Sequence, residues 1–389
     1  MSKVSTMLEL RKFVAPEFIF GPGALSLVGR YLANFGAKKV LVVTDQGVID
    51  AGWAGRLTDL LSRDGLDFAL FSTVSANPRD IQVMAGADFY HQEKCDIIVA
   101  VGGGSPMDCA KGIGIVSTNH GNILDYEGID NVDIPGPPLI CIPTTAGTAA
   151  DVSQFAIISA TAEQRKIAII SKTMVPDVAL IDPETTLTMN SHLTACTGMD
   201  ALVHAIEAYV STANSPILDL HALEAIRLIC ANLPKVLAAP NDLALRANLT
   251  LASLQAGLAF SNASLGAVHA MAHSLGGLLD LPHGECNAIL LDHVVGFNFA
   301  EAGPRYGAIA QAMGLEVAGL TDSQSKSAIL AGIASLKKSV GIHSTLGNWG
   351  ATSADIPVLA QKALADPCMV TNPRLANQRD IEVIYEEAL

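Results

Sequence analysis

Residues 96–115 read DIIVAVGGGSPMDCAKGIGI, and this stretch decides the fold. Ile97 to Val101 form an apolar run that stops at Gly102, Gly103 and Gly104, and a helical pattern starts directly beyond them. A strand apolar on both faces belongs in a parallel sheet covered by helices. In the helix start, Ser105 suits the N-cap, Pro106 the first helical position, and Asp108 the first turn, where an acid complements the helix dipole. Glycines let a backbone approach a diphosphate closely, and the free N–H groups of a helix start supply positive potential. The same turn also serves as a plain strand-to-helix connection. It departs from the common dinucleotide fingerprint, because GxGxxG fails and no acid follows about 20 residues later.

Working outward, KKVLVVTD (38–45), PLICIPTT (138–145) and VALID (178–182) read as further buried strands, with helical windows near 47–64, 79–93 and 106–117. This alternation predicts a doubly wound α/β domain. FAIIS and KIAIIS, joined by ATAEQR, predict an antiparallel hairpin added to that sheet. Beyond DPETTLTMNSH the patterns are helical, with breaks expected at Pro234, Pro240, Pro282 and Pro304. The division falls near residue 188: an α/β domain over 1–188 and an all-α domain over 189–389. Ala247 to Leu279 carries no formal charge and is long enough to span a bilayer, but its Asn, Gln, His, Ser and Gly residues favour two buried helices broken near SNASLG.

The chain has 389 residues, half of them apolar and 16% charged, with a net charge of -14. That is the composition of a compact enzyme or an obligate oligomer, and its charge disfavours nucleic acid and anionic membranes as partners. The seven cysteines show no CxxC spacing and read as reduced core residues of a cytoplasmic protein. The first residues, MSKVSTMLELRKF, have no signal-peptide pattern.

Asp45 ends one predicted strand, where a carboxylate can accept bonds from ribose hydroxyls and would repel a 2′-phosphate. Thr144, Thr145 and Thr148 follow another strand and offer donors to phosphate or ribose. In the helical half, GMDALVHAIEAYV (198–210) puts Asp200, His204 and Glu207 on one stripe of an otherwise apolar helix. GAVHAMAHSLGGLLDLPHGE (266–285) adds His269 and His273 on one helix face and His283 in a Pro-His-Gly turn beyond it. A lone buried histidine is usually a satisfied core residue, but five such groups in one chain half point to a common metal. Imidazole with carboxylate suits Fe(II), Zn(II), Mn(II) or Co(II). Spacing leaves open which four of Asp200, His204, His269, His273 and His283 bind.

The sequence resembles the iron-containing (group III) alcohol dehydrogenases over essentially its whole length, through FIFGPGAL, VTDQGV, VGGGSPMDCAKGI, IPTTAGTAAD, VPDVALIDPE, TGMDALVHAIEAYVS, GLAFSNASLGAVHAMAHSLGG and PHGECNAILL. The resemblance implies a dehydroquinate-synthase-like fold and an NAD-dependent alcohol dehydrogenase with one divalent metal, Fe(II) or alternatively Zn(II). It implies metal ligation by Asp200, His204, His269 and His283, with His273 beside the reacting carbon as a proton relay. Cofactor contacts fall on Asp45, Gly102, Gly103, Gly104, Ser105, Asp108, Thr144, Thr145, Thr148 and Lys166, and the substrate pocket on Phe155 and Phe260. Glu207 is then expected to accept a hydrogen bond that orients a ligand. Substrates would be small alcohols or aldehydes, and the protein a homo-oligomer, dimer or larger. Asp151, Thr185 and Asn190 depart from the family's usual Glu, Leu and Pro. The rival readings are a zinc polyol dehydrogenase of the glycerol-dehydrogenase kind, a dehydroquinate-synthase-type lyase, which would need a basic pocket, and a non-enzymatic assembly protein.

Overall fold

The computed structural model describes residues 10–389, so most of the N-terminal stretch read above for a signal peptide lies outside the described residues. The N-terminal half holds strands β1 (Glu17–Phe20), β2 (Lys39–Asp45), β3 (Asp67–Val74), β4 (Ile97–Gly102), β5 (Gly128–Ile129), β6 (Leu139–Pro143), β7 (Phe155–Ala160), β8 (Arg165–Ile170) and β9 (Val178–Ile181). Between them run helices α1 (Val28–Phe35), α2 (Gln46–Asp50), α3 (Trp53–Arg63), α4 (Asp80–Gln92) and α5 (Gly104–Asn119). The C-terminal half carries α6 (Ser191–Val210), α7 (Pro216–Ala238), α8 (Leu243–Ala263), α9 (Ala267–Leu279), α10 (His283–Ala312), α11 (Asp322–Ser339), α12 (Ile356–Ala365) and α13 (Gln378–Ala388).

The main sheet is parallel throughout, in the order β1-β9-β6-β4-β2-β3. The chain steps from β2 outward to β3 and then returns to place β4 on the other side of β2. The crevice at the C-terminal ends of β2 and β4 is therefore a topological switch point, where open α/β sheets bind ligands. Asp45 ends β2 and Gly102 ends β4, so two of the expected cofactor positions flank that crevice.

The four strands expected from apolar runs are the interior ones and are almost wholly buried. The edge strands β1 and β3 carry only the short apolar runs Phe18 to Phe20 and Phe68 to Phe71, are partly exposed, and lie outside the expected set. The hairpin β7–β8 forms as expected, with Ser159 opposite Lys166, but it belongs to a separate three-stranded sheet, β5-β8-β7, rather than to the main one. Of the four prolines expected to break helices, only Pro234 does not: it lies inside α7, whereas near Pro304 the long helix α10 is kinked, with Ala302 out of helical geometry (φ -122°, ψ 23°).

Helix α6 begins where Asn190 accepts the Leu193 N–H at 2.8 Å. From Thr194 to Val210 every residue of α6 is buried, against α7, α8 and α10. The uncharged stretch 247–279 forms α8 and α9 with a break at 264–266, and among the described residues no helix is long and apolar enough to cross a membrane. No cysteine among the described residues is disulfide-bonded.

Candidate active site

At the start of α5 the helix opens earlier than the Ser-Pro pair suggests. Gly103 is the N-cap, in extended conformation and without a side-chain cap bond, so Ser105 and Pro106 are the second and third helical residues. The physical reason is the glycine turn: Gly102 sits at φ +154°, and an added Cβ would meet Pro106 Cγ at 2.6 Å. A Cβ on Gly103 or Gly104 would press on Thr145 at 3.3 Å or Thr148 at 3.0 Å. The loop after β6 thus closes on bare backbone, and the first N–H groups of α5 remain available to an anion. Thr144 joins this turn through its N–H to Gly102 O at 2.8 Å.

Asp108 lies beyond the first turn of α5 rather than in it. Its carboxylate reaches across to β7 and accepts the Ile157 N–H at 3.1 Å. Burial pushes Asp108 up to about 6, with Lys111 (3.9 Å away) opposing. Asp45 spends one oxygen capping α2, accepting the Val48 N–H at 2.9 Å.

The structure divides the expected site residues into two groups. Gly104, Ser105, Asp108, Thr148, Phe155, Lys166, Asp200, His204, Phe260, His269, His273 and His283 line one cavity of about 150 Å³ between the sheet's C-terminal edge and the helical half. Asp45, Gly102, Gly103, Thr144 and Thr145 stand outside it, at the strand ends. Lys166 enters the cavity from β8, and burial lowers its amine. The Phe155 and Phe260 rings stand 5.8 Å apart.

On the cavity's helical wall, Asp200, His269 and His283 offer ligand atoms that all lie within 4.8 Å of one another. His204 joins them from the next turn of α6. Asp200 Oδ1 is 3.8 Å from His269 Nε2 and 3.7 Å from His283 Nε2, and its Oδ2 is 3.9 Å from His204 Nδ1. These separations are too long for hydrogen bonds. They are close to the roughly 3.4 Å that separates N and O ligands around a tetrahedral metal. The His204 ring stacks on His269 at 4.5 Å and on Phe260 at 4.3 Å. His283, expected in a turn, is the first residue of α10.

Burial holds these imidazoles neutral: His204 falls to about 4, His269 to about 3, and His283 well below its ordinary value. Glu207 accepts a hydrogen bond from His269 Nδ1 at 2.6 Å and another from the Val268 N–H at 2.7 Å. That bond fixes the His269 tautomer and turns the Nε2 lone pair toward Asp200. Burial pushes Glu207 up to about 7, against the backbone N–H groups that it accepts. Nδ1 of His204 and of His283 and Oδ1 of Asn287 are buried without a hydrogen-bond partner. Of these, His204 Nδ1 lies 3.9 Å from the Asp200 carboxylate, and an unpartnered buried nitrogen beside a carboxylate is what a cation would satisfy, so the residues present fit a divalent metal.

Three partners escaped the sequence reading. Asn287 donates to Asp200 Oδ1 at 2.6 Å and lies 3.1 and 3.2 Å from Nε2 of His269 and His283. Its only signal was a position four residues after His283. Asp366 accepts from His273 Nδ1 at 2.9 Å and sits in an irregular segment with no pattern to betray it. Burial alone would raise Asp366, yet His273 and the Cys368 N–H hold it below the usual carboxylate value. Asn77 lines the cavity from the loop after β3. The departures at 185 and 190 have local explanations: Thr185 donates to Pro143 O at 2.6 Å, and Asn190 caps α6.

An imidazole and carboxylate cluster facing the open end of a parallel sheet is the arrangement of an enzyme site able to hold a metal beside a nucleotide. The chain matches the family model for iron-containing alcohol dehydrogenases over residues 15–183 and that for the C-terminal region of the same family over 194–389. It belongs to the iron-containing alcohol dehydrogenase family, with the dehydroquinate-synthase-like fold, and is an oxidoreductase of that type. It is 42% identical to the 1,3-propanediol dehydrogenase of Klebsiella pneumoniae over 95% of this chain and 96% of that one. It is 39% identical to the NAD-dependent methanol dehydrogenase of Bacillus methanolicus over 97% and 99% of the two chains. The crystal structure of a 1,3-propanediol oxidoreductase superposes with a TM-score of 0.95 at 40% identity, covering 98% of this chain and all of that one.

Proposed function

We propose that this enzyme transfers a hydride between NAD(H) and a small primary alcohol or diol, or the corresponding aldehyde, using one divalent metal held by Asp200, His204, His269 and His283. The observation that carries this reading is the set of three neutral imidazoles, His204 and His269 buried and His283 partly exposed, gathered within 4 Å of one buried carboxylate at distances of 3.9, 3.8 and 3.7 Å. Fe(II) is the favoured metal and Zn(II) the alternative; when bound, it supplies Lewis-acid polarisation of the substrate oxygen.

The chain's own residues do the rest. Phe155 and Phe260 wall the cavity and exclude water, which favours a short apolar substrate. The uncapped start of α5, with Gly102, Gly103, Gly104, Ser105, Thr144, Thr145 and Thr148, receives the cofactor's diphosphate. Asp45 keeps an oxygen for the ribose hydroxyls, and its charge disfavours a 2′-phosphate. Asp108 and Lys166 hold the cofactor where it enters the cavity. His273 donates through Nδ1 to Asp366, which leaves Nε2 to pass the substrate proton toward solvent.

Among the described residues lining the cavity, Lys166 is the only lysine or arginine, which speaks against an acidic phosphate substrate. Phe18 and Phe20, exposed on edge strand β1, support a homo-oligomer, and reduced cysteines support a cytoplasmic setting. The two domains divide near residue 188.

One observation favours a second reading. Asp200, His269 and His283 form the tight group while His204 stands apart, as three-ligand zinc binding in a polyol dehydrogenase would require. Initial rates on short alcohols, diols and aldehydes, with NAD(H) and NADP(H), on protein reconstituted with Fe(II) or Zn(II), test both. We expect turnover of short alcohols with NAD and iron. Polyol turnover with zinc alone selects the second reading, and a strong NADP preference refutes the role of Asp45.

A further inference from the structure

The metal-ligating pattern of α6 does not stop at Asp200. His192, Cys196, Asp200 and His204 follow one another at intervals of four residues, so they share one face of the helix. The inner pair faces the cavity. The outer pair meets Glu285, which reaches across from the first turn of α10.

Cys196 Sγ lies 3.0 Å from Glu285 Oε2 and 3.6 Å from His192 Nε2, and His192 Nε2 lies 3.7 Å from Glu285 Oε2. Tetrahedral coordination at ordinary zinc–ligand lengths separates sulfur from nitrogen or oxygen by about 3.6 Å, and nitrogen from oxygen by about 3.4 Å. Two of the three separations already match, and only the thiol and carboxylate must part, by about 0.6 Å.

The Glu285 side chain is 2% exposed, and among the described residues it pairs with no lysine or arginine. Its partners are the Cys196 thiol, the Ser344 hydroxyl and, at longer range, His192. The first turn of α10 and these donors hold the carboxylate, and a cation bound there would meet no competing cationic side chain. Ser344 donates to Oε1 and orients the carboxylate so that Oε2 faces the thiol. The His192 side chain is 64% exposed, which gives the group access from solvent and leaves a fourth coordination position to water.

We propose that His192, Cys196 and Glu285 form a second cation site, distinct from the cavity, for a soft divalent metal of the zinc class. Thiolate with imidazole and carboxylate selects such an ion over magnesium or calcium, whose ligands are oxygens. Binding displaces the Cys196 thiol proton to solvent, so occupancy increases with pH.

The test is a Co(II) titration of the full-length protein after removal of metal by chelator dialysis. Thiolate ligation of cobalt gives an intense near-ultraviolet charge-transfer absorption that nitrogen and oxygen ligands do not give. The cluster around Asp200 has no thiolate, so the signal does not report on the inner metal. We expect this absorption to saturate at one cobalt per chain and to disappear in Cys196→Ser. His192→Ala, a surface change that leaves the core untouched, should weaken the cobalt affinity at least about tenfold. The signal should persist in Asp200→Ala, which keeps the outcome independent of the inner metal, and in Cys368→Ser, which removes the thiol near His273 and Asp366. No thiolate absorption in the wild type, its survival in Cys196→Ser, or an unchanged affinity in His192→Ala would overturn the proposal.

Discussion

The two walls of the cleft are built from different materials. The strand-end wall is mainly backbone: glycines at 102–104, an uncapped helix start and threonines packed against bare Cα atoms. The helical wall is built of side chains: Asp200, His204 and His269 are 1–4% exposed and project from helices that are apolar on their other faces. The first wall can be damaged by adding an atom, and the second by removing one. Substitutions on one wall should therefore spare what the other wall does.

The largest effect is expected from Asp200→Ala, which takes away the carboxylate that three imidazoles surround. We predict loss of metal retention on gel filtration and of activity, each beyond the roughly 10–100-fold cost of losing an outer-shell partner, while the NAD affinity measured by fluorescence titration is unchanged. Glu207→Gln comes next. It replaces the acceptor that fixes His269, and metal affinity should fall about 10–100-fold with the fold intact by circular dichroism. A metal affinity equal to wild type would remove Glu207 from the account.

On the other wall, Gly102→Ala meets a strained backbone and a Pro106 contact at 2.6 Å. Its KM for NAD should rise about tenfold, as expected for 1–3 kcal/mol of backbone strain, with metal content unchanged. Reduced metal content in this variant would break the separation of the two walls.

The smallest effect concerns Asp151, one of the three residues that depart from the family pattern. Burial pushes its carboxyl up to about 6, against about 3.9 in an unfolded chain. Between those values the native state holds a proton that the unfolded state has lost. Stability from this group is therefore full at low pH and lost as pH rises through about 6. Asp151→Asn lacks this loss. Its Tm should exceed that of wild type by a few degrees more at pH 7 than at pH 4, as read by thermal melts.

The helical wall was the more legible in the sequence, because charged and polar residues stand out on a nearly apolar helix. The i, i+4 spacings of Asp200/His204 and His269/His273 carried that reading directly. Spacing was silent on Asp366 and Asn77, which reach the cleft from irregular segments and only through tertiary packing. On the strand-end wall the location was legible and the detail was not. Ser105 has a cap's chemistry, yet the glycine turn starts the helix one residue before it. Asp108 looked like a first-turn acid, yet β7 offers it the Ile157 N–H across the domain. Edge strands β1 and β3 carry apolar runs of only three and four residues, Phe18 to Phe20 and Phe68 to Phe71, too short to distinguish a strand from a helix segment by pattern alone.

The central claim is that one metal sits among Asp200, His204, His269 and His283, with Glu207 acting on it only through His269. A crystal structure of the Fe(II)-loaded protein, with data collected on both sides of the iron absorption edge, tests this most directly. The account predicts an anomalous peak bonded to those four side chains, with Glu207 still accepting from His269 Nδ1. The absence of a peak in that group, or a direct bond from Glu207 to the metal, would contradict it.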